Sequence, residues 1–192
     1  MKKIPSLFKR DYDGNRQVYN EVVPESAWVL AGEGIATLKL DGTSVLVENG
    51  QLYKRHELKK GKVAPKGFKP AQEPDPVTGD TPGWLQVNLV KPEDRWHVEA
   101  WHATRDGVDL PDGTYELMGP KVQGNTLLLD KHVFIKHGQT ILSDAPRTFE
   151  GIRDYLSSHE IEGIVWHHPD GCMVKIKRRD FGFDWPPKYR KG

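Results

Sequence analysis

The sequence predicts an α+β domain built mostly of antiparallel strands with few flanking helices. Three observations lead there. Short runs of alternating or continuous apolar residues recur along the chain, separated by turn chemistry. Nineteen glycines and fourteen prolines are spread through 192 residues, which suits many turns and short strands. Only one stretch carries a clear helical period, at residues 149–159. Hydrophobic residues make up 36% and charged residues 29%, enough apolar material to bury a core and too little bias for a disordered or fibrous chain. The length corresponds to one ordinary domain over residues 1–192, with a core over about 28–177 and a basic, aromatic tail over 178–192.

Taken in order, the first extended segment runs from Thr37 through Asp41, up to the turn at Gly42. The clearest hairpin follows, with strands at 43–48 and 51–55 around Asn49-Gly50, a pair suited to a turn in which both residues take positive φ. Residues 62–83 are rich in proline and charge and read as a long loop. Further strands are expected at 96–101, 113–118, 127–129 and 132–135. In the predicted helix, Ile152, Tyr155 and Leu156 recur at i, i+3 and i+4, and Thr148 is placed to cap its N-terminus. Two last strands, 163–167 and 172–177, are joined by a hairpin turn at His168-Pro169-Asp170-Gly171.

The longest apolar run, residues 27–31, is far short of the ~20 residues that span a bilayer. The basic N-terminus has no apolar stretch behind it, as a secretory signal would. A single cysteine, Cys172, excludes an internal disulfide and fits a reducing interior. A cytoplasmic monomer with no membrane association is therefore expected. Net charge is only +1, but basic residues cluster. Lys175, Lys177, Arg178, Arg179, Lys188, Arg190 and Lys191 stand against Asp180 and Asp184. A second group comprises Lys54, Arg55, Lys59, Lys60 and Lys62. Such patches suit either a phosphate-gripping face or ordinary solvated surface.

Three separated stretches carry chemistry. In Thr37-Leu38-Lys39-Leu40-Asp41-Gly42-Thr43, an extended backbone puts Lys39 and Asp41 on one face while Leu38 and Leu40 face the core. A lysine so anchored is a candidate nucleophile if its surroundings favour the neutral amine. In Glu160-Ile161-Glu162-Gly163-Ile164-Val165-Trp166, a carboxylate and a glycine open a buried strand. In Val174-Lys175-Ile176-Lys177, two lysines project from one side of a strand. Beside Lys39, their charge would favour its neutral form and bind phosphates as point charges. Taken alone, the second stretch fits an ordinary strand edge equally well, and the first and third fit a surface strand better. His167, His168 and Cys172 lie close in sequence, yet no zinc-ligand spacing accompanies them.

Together and in this order, K-x-D-G, E-G-I-V and the K-x-K strand resemble motifs I, IV and V of the covalent nucleotidyltransferases. Tyr53-Lys54-Arg55 looks like motif Ia of the RNA ligases, residues 114–121 like motif III, and His132-Val133-Phe134-Ile135 falls where motif IIIa is expected. The likeness is strongest to the compact ATP-dependent RNA ligases, a family that includes the vertebrate 5′-phosphate/3′-hydroxyl RNA ligase. Trp28-Val29-Leu30-Ala31-Gly32-Glu33-Gly34 and Pro74-Asp75-Pro76-Val77-Thr78-Gly79 add to it.

The resemblance implies a nucleotidyltransferase domain, with ATP and Mg²⁺ (or Mn²⁺) as cofactors and RNA bearing 5′-phosphate and 3′-hydroxyl ends as partner. It implies that Lys39 forms a lysyl-AMP adduct and that Lys175 and Lys177 hold the α-phosphate. Arg55 would contact ribose or phosphate, Glu116 the ribose hydroxyls, and Phe134 the base. Glu162 would lie near the metal, with Asp41 in support. An RNA-repair role follows. The arginine that DNA ligases carry shortly after K-x-D-G is replaced by Ser44 and Val45. Only 15 residues follow Lys177, too few for an OB-fold, which favours RNA over DNA. Two other readings stay open: a related enzyme acting on nicked DNA, an RNA cap or a protein, and a non-catalytic RNA-binding module. The aromatic residues of 181–187 either pack over the sheet or steer a strand.

Overall fold

A computed structural model describes residues 1–105 and 110–186. In chain order the strands are β1 (Phe8–Arg10), β2 (Val18–Val22), β3 (Ile35–Lys39), β4 (Thr43–Glu48), β5 (Gln51–Leu58), β6 (Lys69–Pro70), β7 (Thr81–Gln86), β8 (Gly113–Met118), β9 (Val133–Lys136), β10 (Gly163–His167) and β11 (Met173–Lys177). The helices are α1 (Ala27–Leu30), α2 (Arg95–Arg105) and α3 (Phe149–Ser158). Every pairing between these strands is antiparallel, so the α+β expectation holds. No helix among the described residues is long and apolar enough to cross a membrane.

The chain forms two compact units: residues 1–3 with 41–137, and residues 4–40 with 138–192. The first contains a six-stranded sheet in the order β6-β7-β5-β4-β8-β9. The turn between β4 and β5 has φ of +50° at Asn49 and +70° at Gly50, as the dipeptide predicts. Val45, Val47, Leu52, Tyr115, Leu117 and Phe134 join Ala100 and Trp101 of α2 in its core.

The second unit contains a three-stranded sheet, β11-β10-β3, and the ribbon β1-β2. Its core gathers Ala36, Ile164, Trp166, Val174 and Ile176 from the sheet with Ile152 and Leu156 of α3. Thr148 caps α3 as expected, its hydroxyl accepting the Gly151 N–H at 3.2 Å. The Arg178 guanidinium closes the other end, donating to the carbonyls of Leu156 and His159, two groups a helix C-terminus leaves without internal partners. Phe181 stacks edge-on against Phe149 and Trp185 is buried, so the described part of the tail packs. Lys188, Arg190 and Lys191 lie outside the described residues.

Three expectations are corrected. Residues 96–101 are not a strand but belong to α2. Pro92-Glu93-Asp94 opens a tight 3₁₀ turn with proline at its start and acids in its first turn, and the helix continues from it. Ala100 and Trp101 are then buried in the core of the first unit, with Trp96 and Val98 packed against it; the apparent alternation came from Trp96, Val98 and Ala100. Residues 127–129 form a turn. Leu128 has φ +53°, and the Asn125 side chain bonds both the N–H and the carbonyl of Leu129 at 2.9 Å. The 62–83 loop is shorter than expected, because β6 lies within it and β7 begins at Thr81.

Candidate functional site

Strand register brings the predicted chemistry together in the second unit. Gly163 pairs with Lys39 on one side and with Lys177 on the other. Two residues along, Val165 lies between Thr37 and Lys175. Because side chains alternate, Lys39, Lys175 and Lys177 share one face of this sheet, while Leu38, Ile164, Trp166, Val174 and Ile176 share the other. All of the latter but Leu38 are fully buried, with Leu38 half-buried. The pattern apolar-Lys-apolar-Lys thus splits across the sheet: the apolar set anchors the strands and the lysines stand on the outer face.

Gly163 is what allows this. A Cβ there would lie 2.2 Å from the Ile176 carbonyl oxygen and 2.9 Å from Lys177 Cα. Any side chain would push β10 from β11 and sit between the two lysine positions.

The Lys39 ammonium donates to Glu162 Oε2 at 2.6 Å, and both side chains are largely shielded from solvent. Glu162 also accepts the Arg178 N–H on its backbone carbonyl at 2.8 Å, fixing the turn that leads into β10. β11 is held along both edges. One side bonds β10; on the other, the Lys175 N–H donates to the Pro5 carbonyl and its carbonyl accepts the Leu7 N–H. Asp180, almost wholly buried, takes the Lys177 N–H at 2.8 Å and pairs with Arg10.

Burial lowers the Lys175 ammonium to about 8, and the positive charges of Lys39 and Lys177 push it the same way; Glu162 and Asp180 offset part of this. A half-shielded face therefore concentrates three cations at a local energetic cost, which an incoming anion would relieve.

Thr37, 2% exposed, donates its hydroxyl to the Val165 carbonyl at 3.2 Å and lies 3.0 Å from His167 Nε2. From sequence, His167 enters only the zinc reading, beside His168 and Cys172, and Thr37 carries no role; the register of β3 with β10 reveals that they meet.

The remaining candidates, Asp41, Arg55, Glu116 and Phe134, belong to the first unit, and because β3 ends at Lys39, Asp41 does not share a strand face with it as expected. Glu116 is nearly buried. Its Oε1 accepts the Gly42 N–H at 3.0 Å and its Oε2 lies 2.7 Å from His137 Nε2. A Cβ at Gly42 would stand 2.2 Å from the Leu117 carbonyl, so the glycine of K-x-D-G lets this loop press against β8. His137 had no sequence signal, since it simply follows an alternating strand. The Arg55 guanidinium lies over the Trp84 ring, 4.9 Å from its centre, and donates to the Met1 carbonyl at 2.7 Å. Phe134 is 5% exposed and meets Trp101 edge-on within the core. In the second basic cluster, Lys54 pairs with Asp94 and Lys59 with Glu57 and Asp80, so much of its charge is matched locally.

Comparison with known proteins gives the same direction. The RNA ligase 1 family model matches residues 103–190, which include Glu116, Glu162, Lys175 and Lys177. The chain resembles RNA ligase 1. RNA ligase 1 of Rattus norvegicus is 28% identical over 97% of this chain and 79% of its own length. The Mus musculus protein is 28% identical over 97% of this chain and 78% of its own. RNA ligase 1 of Pongo abelii is 29% identical over 65% of this chain and half of the relative. Together these matches show that the chain is similar to RNA ligase 1 proteins, along nearly its whole length in the two rodent relatives.

Proposed function

We propose that this chain is an ATP-dependent RNA ligase of the covalent nucleotidyltransferase fold, joining RNA 5′-phosphate and 3′-hydroxyl ends in RNA repair. The observation that carries the proposal is the row Lys39–Gly163–Lys177, with Lys175 beside it on the same sheet face and Glu162 against Lys39.

In this reading the neutral Lys39 amine attacks the α-phosphorus of ATP. An N–P bond forms, the P–O bond to pyrophosphate breaks, and the proton released by the amine passes to solvent. Lys175 and Lys177 hold the α-phosphate oxygens and offset charge as the phosphorus becomes five-coordinate. The residues present fit a hard divalent cation only in part: Glu162 supplies one carboxylate at this face. That suits Mg²⁺ (or Mn²⁺) held mainly by nucleotide phosphates, where it would neutralise polyphosphate charge. Glu116, braced by His137 and the Gly42 N–H, is the candidate for the ribose hydroxyls, and Arg55 for ribose or phosphate. Phe134 would reach a base only by leaving the core.

The adenylyl group then passes to an RNA 5′-phosphate, freeing Lys39. A 3′-hydroxyl attacks that phosphate, forming the phosphodiester and releasing AMP. Incubation with α-labelled ATP or GTP and Mg²⁺, followed by denaturing electrophoresis, tests the first step. Acid-labile protein labelling by ATP alone supports the proposal. Labelling by GTP would indicate capping chemistry, and no labelling would indicate a binding module. Sealing assays on broken RNA, nicked duplex RNA and nicked DNA then identify the acceptor.

A further inference from the structure

Beside β5 and β7 in the first unit lies a cavity of about 420 Å³, within the ordinary range for ligand sites. Lys54, Lys66, Lys69 and Lys91 line it, against Glu93 and Asp94. β6 pairs with β7 only at Trp84 and Gly83, so Leu85 and Gln86 run past its end and form one wall. The loop at 65–67 and the segment at 88–94 form the others.

The floor is built. Asp94, 1% exposed, takes the Lys54 ammonium and accepts the Asn88 N–H at 2.8 Å. Its carboxyl is held below the ordinary range: burial pushes it up, but Lys54 and the Asn88 N–H outweigh that. Lys69 lies over the Tyr53 ring, 4.1 Å from its centre, with its ammonium 2.8 Å from the Tyr53 hydroxyl. That contact covers the aromatic ring in the cavity's lining with a cation. Lys66, Lys69 and Lys91 are exposed. The partners of the last two are half-buried Glu48 and exposed Glu93, at 3.0 and 3.5 Å. Surface pairs of this kind are worth at most about 1 kcal/mol and exchange readily for a phosphate.

We propose that this cavity grips the phosphodiester backbone of a single RNA strand, without reading sequence. Three exposed lysines around one concavity suit a run of monoanionic phosphates. An acidic protein segment is the less fitting occupant, because protein partners dock through an apolar or aromatic anchor. Here Pro65 and Leu85 are the only aliphatic linings and Tyr53 is already covered. The choice of RNA rests on the ligase reading above; the phosphate chemistry does not.

The test uses the full chain and a fluorescent single-stranded RNA of about 12 nucleotides. Anisotropy titrations at several salt concentrations compare wild type with the exposed double variant Lys66→Glu/Lys91→Glu and with Lys69→Ala. For the double variant we expect Kd to rise at least about tenfold at low salt and the log–log salt slope to flatten by about 0.7 per lysine. Lys69→Ala should show a smaller change in the same direction. Covalent labelling by ATP, measured in parallel, should be unchanged in all variants. Unchanged RNA affinity and slope in both variants would overturn the proposal. So would wild-type labelling by ATP without RNA binding, or displacement of RNA by polyglutamate as efficient as by RNA of equal charge. Loss of RNA binding in variants of a protein that never forms the ATP adduct would uphold the strand site and overturn the ligase reading instead.

Discussion

Replacing Lys175 with methionine keeps an unbranched side chain one atom shorter and removes its charge, so it asks what the cation cluster costs. In the folded chain the Lys175 ammonium is lowered to about 8, from an ordinary value of 10.5, by burial and by Lys39 and Lys177. At about 1.4 kcal/mol per pH unit, the gap corresponds to an upper bound of about 3 kcal/mol. The sign follows from proton counting. Below pH 8 both folded and unfolded chains carry the proton, and the folded state bears the full cost. Between about 8 and 10.5 the folded state has released the proton while the unfolded state keeps it, so stability rises with pH. Above 10.5 neither carries it and the cost is gone. Lys175→Met should therefore be more stable than wild type at pH 7, melting several degrees higher at ~2–4 °C per kcal/mol for a chain of this size. The advantage should shrink as pH rises from 8 towards 10.5. Urea or thermal unfolding of both proteins across this range measures it, and the difference curve removes the titrating groups with which Lys175 does not interact. A variant no more stable than wild type at pH 7, or an advantage independent of pH, would refute the reasoning.

Other variants probe the remaining parts. Lys177→Ala should lower ATP-dependent self-labelling about 10²-fold or more if it steadies phosphate charge, with folding intact by circular dichroism. Gly163→Ala forces a Cβ to 2.2 Å from the Ile176 carbonyl. It should cost about 1–3 kcal/mol in denaturant unfolding and depress labelling by separating β10 from β11. Asp94→Asn leaves Lys54 without its buried partner and should cost about 3 kcal/mol at pH 7. Because the Asp94 carboxyl is lowered, its stabilisation is present above pH ~4 and fades in acid, so the two unfolding curves should converge there.

Local patterns made much of this fold legible. The Asn49-Gly50 turn, the Thr148 cap and the apolar-Lys-apolar-Lys run at 174–177 each act over a few residues, and the structure realises all three. Where a pattern had two physical readings, sequence chose badly. Trp96, Val98 and Ala100 alternate like a strand, yet the proline and acids just before them start a helix. The aliphatic run 127–129 follows strand propensity, but Asn125 ties it into a turn. β1 and β2 escaped notice because their pairing spans a polar loop and leaves most of β2 exposed. In the candidate site, residue types and order suggested Lys39, Glu162, Lys175 and Lys177 through a resemblance. That Gly163 lies between Lys39 and Lys177 is a fact of register. The Thr37–His167 and Glu116–His137 contacts depend likewise on which strands pair.

The most direct test of the central claim is to locate the covalent adduct. Wild-type protein incubated with ATP and Mg²⁺, digested under neutral or alkaline conditions and mapped by mass spectrometry should carry AMP on Lys39 alone, and Lys39→Ala should carry none. AMP on another lysine, or an adduct that persists in Lys39→Ala, would contradict the account.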